Sequence, residues 1–145
     1  MSASESSAET RVAQHYATEK LDERLFAAFA TVGKSKSAIT LDDLAAVDEF
    51  HIGGREATEA IAAQMNLRPG MKLLDIGCGI GGSARYFSSA HGCAVTGIDL
   101  TAEYVRTARV LSEVVAMDNQ VQFQTGSALD LRSCWTSLPE FGQSL

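Results

Sequence analysis

The spacing of apolar residues predicts an amphipathic helix in the first third of the chain. Between residue 11 and about residue 30, apolar side chains recur at roughly the spacing of one helix face. The residues on this face are Val12, Tyr16, Leu21, Leu25, Phe26 and Phe29. Gly33 is expected to close this helix. A shorter helix is predicted after Thr40, whose hydroxyl can cap it, with Asp43 three positions on as a variant of the capping box.

The segment from residue 48 to residue 56, DEFHIGGRE, interrupts the helical pattern. It has no clean period and contains two adjacent glycines, so we expect a loop there that opens into a helix from about residue 56 to residue 66. The Arg-Pro-Gly sequence at residues 68–70 is expected to stop that helix.

After residue 70, short apolar runs alternate with helical periods. The runs at residues 71–76, 93–98 and 121–124 are predicted to be buried strands. Helices are predicted at residues 83–91, which Gly92 ends, and at residues 101–116, which Thr101 caps. This β-α-β-α-β alternation predicts a parallel sheet with helices on its faces, and right-handed crossovers would give the strand order 3-2-1.

Composition and charge narrow the class of protein. The chain has 145 residues, of which 46% are hydrophobic, and a formal net charge of -6, which fits one globular domain with a buried core. The acidic balance argues against nucleic acid as a partner. No apolar run approaches the length of about 18 residues that a membrane span needs.

The cysteines and histidines give no sign of a metal site. The three cysteines, Cys78, Cys93 and Cys134, have neither the even count of a disulfide framework nor the spacing of a zinc site, and we therefore expect a cytoplasmic protein. The three histidines likewise lack the spacing of metal ligands or of a catalytic triad.

Four glycines fall within six residues directly after the first predicted strand. They are Gly77, Gly79, Gly81 and Gly82. A glycine turn that leads from a strand into a helix leaves backbone N–H groups and the positive end of the helix dipole facing one spot beyond the sheet. Glycine backbones adopt positive φ and approach a ligand without a Cβ atom in the way. We expect a ligand here, because a merely tight turn needs fewer glycines.

Two kinds of nucleotide cofactor are compatible with this turn. Gly77, Gly79 and Gly82 satisfy the GxGxxG pattern of dinucleotide-binding folds, and Asp99 lies near the offset expected for the acid that binds ribose. Its carboxylate can accept hydrogen bonds from two ribose hydroxyls. The alternative is that Asp99 caps the next helix. The pattern alone does not decide between the cofactors.

The stretch LLDIGCGIGG, followed by VTGIDL, resembles the cofactor-binding motifs of class I S-adenosylmethionine-dependent methyltransferases. Within that class it looks like the type 11 small-molecule group, which is similar to the enzymes of ubiquinone and menaquinone methylation and to glycine, sarcosine and dimethylglycine N-methyltransferases. Asp75 two positions before the first glycine, the helical extension ahead of the first strand and the later GSALDL sequence favour this family over a nicotinamide-dependent oxidoreductase. The resemblance runs from about residue 12 to residue 131.

The resemblance implies S-adenosyl-L-methionine as the cofactor, a small molecule as the methyl acceptor, and a set of residues that bind the cofactor. The turn and its acid are expected around the methionine portion and the ribose, and the residues are Asp75, Gly77, Cys78, Gly79 and Gly81. Asp99 is expected on the ribose. The residues expected at the adenine ring are Leu100, Ser127 and Ala128.

The segment DEFHIGGREAT resembles the loop that closes over the methionine end of the cofactor in this family. A histidine, a glycine pair and an arginine beside a helix start can hold a carboxylate, and the candidates are His51, Gly53, Gly54 and Arg55. A packing role for His51 and a solvated position for Arg55 are the alternatives. The side chain of Cys78 is expected to pack, and no catalytic residue is identified.

The resemblance also implies a Rossmann-like three-layer sandwich whose sheet has seven strands in the complete family fold. We expect this chain to be truncated before strand 4, without the acceptor-binding half, and therefore either part of an enzyme or a non-catalytic cofactor-binding fragment. The expected divisions are a disordered tail (1–10), a helical extension or lid (11–68), a cofactor-binding half (69–131) and a divergent tail (132–145). Strand 1 would be an exposed edge that favours association.

Overall fold

The structure, a computed structural model, describes residues 20–49 and 53–131. The helices in this part of the chain are α1 (Leu21–Thr31), α2 (Leu41–Asp48), α3 (Gly54–Gln64), α4 (Gly82–His91) and α5 (Ala102–Val114). The strands are β1 (Lys72–Ile76), β2 (Ala94–Asp99) and β3 (Val121–Thr125). Short 3-10 turns lie at Lys36–Ala38 and Ala128–Asp130.

The three strands form one parallel sheet in the order β1-β2-β3, which confirms the predicted fold class and strand order. In the register of the sheet, Asp75 on β1 lies opposite Gly97 on β2, and Asp99 at the end of β2 lies opposite Thr125. All three strands therefore end at the same edge of the sheet. The glycine turn and the segments that follow β2 and β3 start from that edge.

Two hydrophobic clusters hold the helices on the sheet. The larger one joins the sheet to α4 and α5 through residues such as Val95, Ala108 and Phe123. The smaller one contains Leu44, Ile80 and Leu111 and receives partly buried side chains from α1. Ile80 belongs to the glycine turn and is fully buried, and burial of such a side chain is worth roughly 1.5–3 kcal/mol. The turn is therefore fastened to the core by its one large apolar residue.

Several predicted boundaries are confirmed. Thr40 forms a capping box with Asp43, in which the Thr40 hydroxyl accepts from the Asp43 N–H and the Asp43 carboxylate accepts from the Thr40 N–H. Gly92 ends α4 in the left-handed region, with φ +68°. The part of the first predicted helix that precedes residue 20 lies outside the described residues.

Two helix starts differ from the prediction, one in its position and one in its capping group. Helix α3 begins at Gly54 rather than near residue 56, because Gly53 adopts φ +96° at the N-cap position and starts the helix earlier. Thr101 occupies the N-cap position of α5, but its side chain makes no capping hydrogen bond. The Thr101 N–H instead donates to the Asp99 carboxylate at 2.8 Å. The acid at the end of β2 therefore provides the hydrogen-bond acceptor at the start of α5.

The outer edge of β1 has no strand partner among residues 20–49 and 53–131. No residue of β1 is buried, and Ile76 is 51% exposed. Unpaired strand edges favour pairing with further chain. The association that the sequence predicted through this edge stays a prediction.

The capping box at the start of α2 is expected to make the free energy of unfolding depend on pH in the acid range. Hydrogen bonds from Lys34 and Thr40 lower the pKa of Asp43 from 3.8 to about 2. Because the pKa is lower in the folded chain, the ionised carboxylate stabilises the fold above about pH 4, and this contribution is lost as the pH falls towards 2. We expect Asp43→Asn to flatten the dependence of the urea midpoint on pH in this interval.

The matched control for that measurement is Asp42→Asn, which removes the neighbouring exposed carboxylate without touching the box. Its urea midpoint should follow the wild-type curve as the pH falls. Identical curves for Asp43→Asn and wild type would contradict the assigned role of the capping box.

Candidate functional site at the carboxyl edge of the sheet

The glycine turn is folded over the end of β2 by backbone hydrogen bonds. The N–H groups of Gly77 and Cys78 both donate to the carbonyl of Ile98, at 2.8 and 3.0 Å. The N–H of Gly79 donates to Asp99 Oδ2 at 3.0 Å. The turn after β1 and the acid at the end of β2 are therefore one structural unit.

Both oxygens of the Asp99 carboxylate contact backbone N–H groups. Oδ2 accepts from the Gly79 N–H and Oδ1 accepts from the Thr101 N–H. Asp99 therefore also bonds the start of α5, as the alternative of a helix cap predicted. A carboxylate offers about four acceptor positions. Two of them remain for hydroxyl groups of a ligand, and the half-buried side chain is already held in place.

The glycine turn leaves open space at two of its positions. Gly77 and Gly79 have φ values of +76° and +53°, and a Cβ atom added at either one would meet nothing within 4 Å. A bare backbone therefore faces an open volume beside the Asp99 carboxylate. This is the shape that a nucleoside needs in order to approach the main chain closely.

The other two glycines differ from this pair, because a Cβ atom at either position would meet protein atoms. A Cβ atom at Gly81 would lie 2.6 Å from Phe123 Cζ. Gly82 has ordinary helical backbone, and a Cβ there would lie 2.6 Å from Asp48 Oδ1. Both positions exclude a side chain because of packing. A backbone contact between Gly81 and the cofactor stays a prediction.

Cys78 lies in the turn with its side chain turned into the core. It is 8% exposed, and burial, assisted by the negative charges of Asp75 and Asp99, raises the pKa of its thiol to about 12. The thiol is therefore protonated at neutral pH and is a poor nucleophile. The predicted packing role agrees with this position.

Alkylation should separate Cys78 from a reactive thiol. In the folded chain at pH 8, we expect iodoacetamide to leave Cys78 unmodified, since the thiolate is the reactive form and burial suppresses it. Denatured chain serves as the control, and peptide mass spectrometry measures each cysteine separately. Modification of Cys78 at the same rate in the folded and denatured chain would contradict the assigned environment.

Asp75 stands at the rim of an apolar groove. The groove has a volume of about 410 Å³ and runs between α3, β1 and α4. Its polar lining comes from Asp75, Ser83 and Thr58 and from the backbone of Gly77. The other lining side chains are apolar, among them Ile61, Met65, Leu73, Leu74 and Phe87. The predicted contact of Asp75 with the methionine portion is compatible with this position.

Exposed leucines follow β2 and β3 at the same edge. Leu100, directly after Asp99, is 75% exposed, and Leu129 is 97% exposed. Ser127 and Ala128 lead into the 3-10 turn, where the Ser127 hydroxyl accepts from the Leu129 N–H at 3.1 Å. Leu129 was not among the residues predicted from sequence. Its exposure beside Ala128 is the signal that adds it to the candidate surface.

Three of the four predicted lid residues belong to the described part of the chain. His51 lies outside the described residues. Gly53 and Gly54 form the start of α3. Arg55 Nε lies 2.8 Å from Glu49 Oε1, and its guanidinium lies 4.7 Å from the centre of the Tyr86 ring. Arg55 is therefore engaged by protein groups, and its predicted contact with the cofactor stays a prediction.

A buried ion pair behind the turn was missed from sequence. Arg85 on α4 is 1% exposed and Asp48 at the end of α2 is 6% exposed, and Arg85 Nη2 lies 2.7 Å from Asp48 Oδ2. Burial raises the pKa of the Asp48 carboxyl, and the positive charge of Arg85 opposes that shift. No sequence pattern links two residues that are 37 positions apart.

Within residues 20–49 and 53–131, no cluster of three or more His, Cys, Asp or Glu side chains is arranged to hold a metal ion. Among the helices described above, none combines the length and the apolar character that crossing a bilayer requires.

Comparison with protein families gives one match over most of the chain. Residues 4–136 match the family model described as mycolic acid cyclopropane synthetase. Among curated proteins, the chain is 39% identical to phosphoethanolamine N-methyltransferase 1 of Arabidopsis thaliana over 72 residues, which is 50% of this chain and 14% of the relative. The chain therefore spans only a small part of that protein.

Solved structures give similar results. Phosphoethanolamine N-methyltransferase 2 of Haemonchus contortus in complex with S-adenosyl-L-methionine has a TM-score of 0.50 and 33% identity, over 57% of this chain and 19% of that protein. A methyltransferase of Thiobacillus denitrificans in complex with S-adenosyl-L-homocysteine has a TM-score of 0.50 and 28% identity, over 56% of this chain and 33% of that protein.

Proposed function

Because the chain belongs to the mycolic acid cyclopropane synthetase family of S-adenosylmethionine-dependent methyltransferases, we propose that the carboxyl edge of its sheet binds S-adenosyl-L-methionine. The protein to which this site belongs then transfers a methyl group to a small-molecule acceptor. The chain contributes the site for the methyl donor.

One observation carries this proposal: the Asp99 carboxylate and the open glycine backbone are joined by a direct hydrogen bond. Asp99 Oδ2 accepts from the Gly79 N–H at 3.0 Å, and a Cβ atom at Gly79 would point into open space. A nucleoside laid on this backbone places its ribose hydroxyls beside a fixed carboxylate. Hydrogen bonds to a charged acceptor are stronger than neutral ones.

The remaining residues divide the cofactor between them. We assign the ribose to Asp99, the adenine ring to the exposed Leu100 and Leu129 with Ser127 and Ala128, and the methionine portion to the groove at Asp75. Exposed apolar side chains at the ends of neighbouring strands suit a flat aromatic ring. A carboxylate at the rim of the groove suits the ammonium group of the methionine portion.

The chemistry asks for positioning more than for a catalytic side chain. S-adenosylmethionine supplies a methyl group bound to a sulfonium, and a neutral thioether is the leaving group. The residues of this chain hold the donor in one place and exclude water from part of it. A general base is needed only if the acceptor must lose a proton. We assign no general base among the described residues.

The acceptor is proposed as a class only. The relatives carry names such as phosphoethanolamine N-methyltransferase, O-methyltransferase and sterol 24-C-methyltransferase, so nitrogen, oxygen and carbon acceptors all occur among them. The apolar groove beside Asp75 is compatible with an uncharged or amphipathic small molecule. A cytoplasmic location is likewise a proposal, supported by the free thiols of Cys78 and Cys93.

A calorimetric titration with S-adenosylhomocysteine tests the proposal, with NAD as the control ligand. Binding of S-adenosylhomocysteine without binding of NAD supports it. Binding of NAD alone would favour the nicotinamide-dependent oxidoreductase that the GxGxxG spacing also allows. A label-transfer assay with methyl-tritiated S-adenosylmethionine and a panel of nitrogen, oxygen and carbon acceptors, phosphoethanolamine among them, then separates an enzyme from a non-catalytic cofactor-binding fragment.

A further inference from the structure

Arg85 is a buried arginine that joins three elements. Its Nη1 donates to Ser112 Oγ at 2.9 Å and to the Ala108 carbonyl at 3.3 Å, both on α5. Its Nη2 donates to Asp48 at the end of α2 and to the Ile80 carbonyl in the glycine turn. Arginine is almost never fully buried unless its charge is paired, and Asp48 supplies the paired charge.

A single nitrogen atom links Asp48 to the glycine turn. Arg85 Nη2 lies 2.7 Å from Asp48 Oδ2 and 2.7 Å from the Ile80 carbonyl oxygen. If Asp48 loses its charge, the guanidinium has no counter-charge in a buried site, and only the hydrogen bonds to Ser112, Ala108 and Ile80 still hold it. Arg85 therefore links the Ile80 carbonyl in the turn to a residue 32 positions earlier in the chain.

Gly82 makes this arrangement possible. A Cβ atom there would lie 2.6 Å from Asp48 Oδ1 and 2.8 Å from the Asp48 backbone oxygen. Only a residue without a side chain lets Asp48 approach the start of α4 this closely. The carboxylate also lies at the positive end of the α4 dipole, which favours a negative charge. The fourth glycine of the turn thus serves Asp48 rather than a ligand.

The start of α3 is also held on α4, through Arg55. Directly after Asp48, the side chain of Glu49 is 1% exposed and pairs with Arg55, whose guanidinium lies over the ring of Tyr86 on α4. Asp48 at the end of α2 and Arg55 at the start of α3 therefore both contact α4. The two helix ends are held on the helix that starts at the glycine turn.

We propose that Asp48 and Arg85 are positioning residues that fix the glycine turn relative to the end of α2, and so set the affinity for the cofactor without touching it. This inference rests on the proposed function. The pair acts through the Ile80 carbonyl on one side and through the end of α2 on the other. It assigns a role in cofactor binding to two residues that lie behind the turn.

The test compares Asp48→Asn with Asp22→Asn. Asp22 is a matched control because its carboxylate is also largely buried and also pairs with an arginine, Arg106 on α5, at 2.8 Å, but it contacts neither the turn nor α4. Both variants are expected to lower the unfolding temperature. Only Asp48→Asn is expected to weaken S-adenosylhomocysteine binding, by about tenfold, a change of about 1.4 kcal/mol, measured well below both unfolding temperatures.

Hydrogen exchange of the unliganded chains supplies a readout that does not need the cofactor. Asp48→Asn should speed exchange across residues 79–82, whereas Asp22→Asn should leave it unchanged. If wild type fails to bind S-adenosylhomocysteine, the proposed function fails, while the exchange rates still decide the role of the pair. Equal affinities and equal exchange rates in the two variants would overturn the inference.

A second variant covers the case in which Asp48→Asn does not fold. Arg85→Lys keeps the counter-charge for Asp48, but one ammonium group does not reproduce the planar fork of guanidinium donors. We expect a folded chain with weaker S-adenosylhomocysteine binding and faster exchange at residues 79–82. Wild-type affinity and wild-type exchange in this variant would also overturn the inference.

Discussion

Substitution of Gly79 by valine is expected to abolish binding of S-adenosylhomocysteine. The Cβ position of Gly79 points into the open volume beside Asp99, with no atom within 4 Å apart from those of Gly79 and its chain neighbours, so a valine side chain would occupy the space assigned to the nucleoside. In addition, the φ of +53° disfavours a β-branched residue by on the order of 1–3 kcal/mol. Calorimetry should show a loss of at least about a hundredfold in affinity.

The control is Gly33→Val. Gly33 also has positive φ, +78°, and also has no atom within 4 Å of its Cβ position, but it lies in the loop after α1. It carries comparable backbone strain away from the carboxyl edge, so its affinity should equal that of wild type. Retained binding in Gly79→Val would reject the close approach of a ligand to this backbone.

Replacing Asp99 with alanine is expected to weaken S-adenosylhomocysteine binding by about 1.5–3 kcal/mol, the range for hydrogen bonds to a charged group. This corresponds to about 10- to 150-fold in affinity. Two losses combine here: the acceptors for the ribose hydroxyls, and the hydrogen bonds that hold the N–H groups of Gly79 and Thr101. Affinity is measured by calorimetry well below the unfolding temperature of each variant.

Two further variants serve as controls, one for the change in net charge and one for the number of acceptor oxygens at position 99. Asp118→Ala removes an exposed carboxylate from the loop before β3 and should leave the affinity unchanged, which controls for net charge. Asp99→Asn keeps one acceptor oxygen, so it should bind more tightly than Asp99→Ala and less tightly than wild type. Wild-type affinity in Asp99→Ala would remove this residue from the site.

The local pattern of the sequence was sufficient to predict much of the fold. The three strands and their order follow from short apolar runs separated by helical periods, because each run is long enough for a strand and too short for a helix. The capping box at Thr40 and the helix end at Gly92 are also local, since they involve neighbours three residues apart or a single backbone conformation. These features are confirmed.

The positions of the site residues were less predictable. The sequence placed Asp99 at the end of a strand, but it did not show that one carboxylate bonds both Gly79 and Thr101. That contact arises because β1 and β2 end side by side. Likewise, the glycine spacing gave four equivalent positions, whereas Phe123 and Asp48 fill the space beside Gly81 and Gly82. Only the packing of distant segments separates the two pairs.

The Asp48–Arg85 pair marks the limit of sequence analysis for this chain. Each residue alone resembles a solvated charge on an amphipathic helix, and charged side chains are usually exposed. Their burial depends on the contact between α2 and α4, next to the small cluster that contains Leu44 of α2 and Ile80 of the turn. No periodicity within either helix carries information about a partner on the other.

Hydrogen exchange of the whole chain, with and without S-adenosylhomocysteine, tests most directly whether the carboxyl edge binds this cofactor. We expect the ligand to slow exchange at residues 77–82, 99–102 and 126–129, to leave residues 33–40 unchanged, and NAD to slow none of them. Unchanged exchange at the carboxyl edge with saturating S-adenosylhomocysteine, or slowing by NAD alone, would contradict a methyl-donor site there.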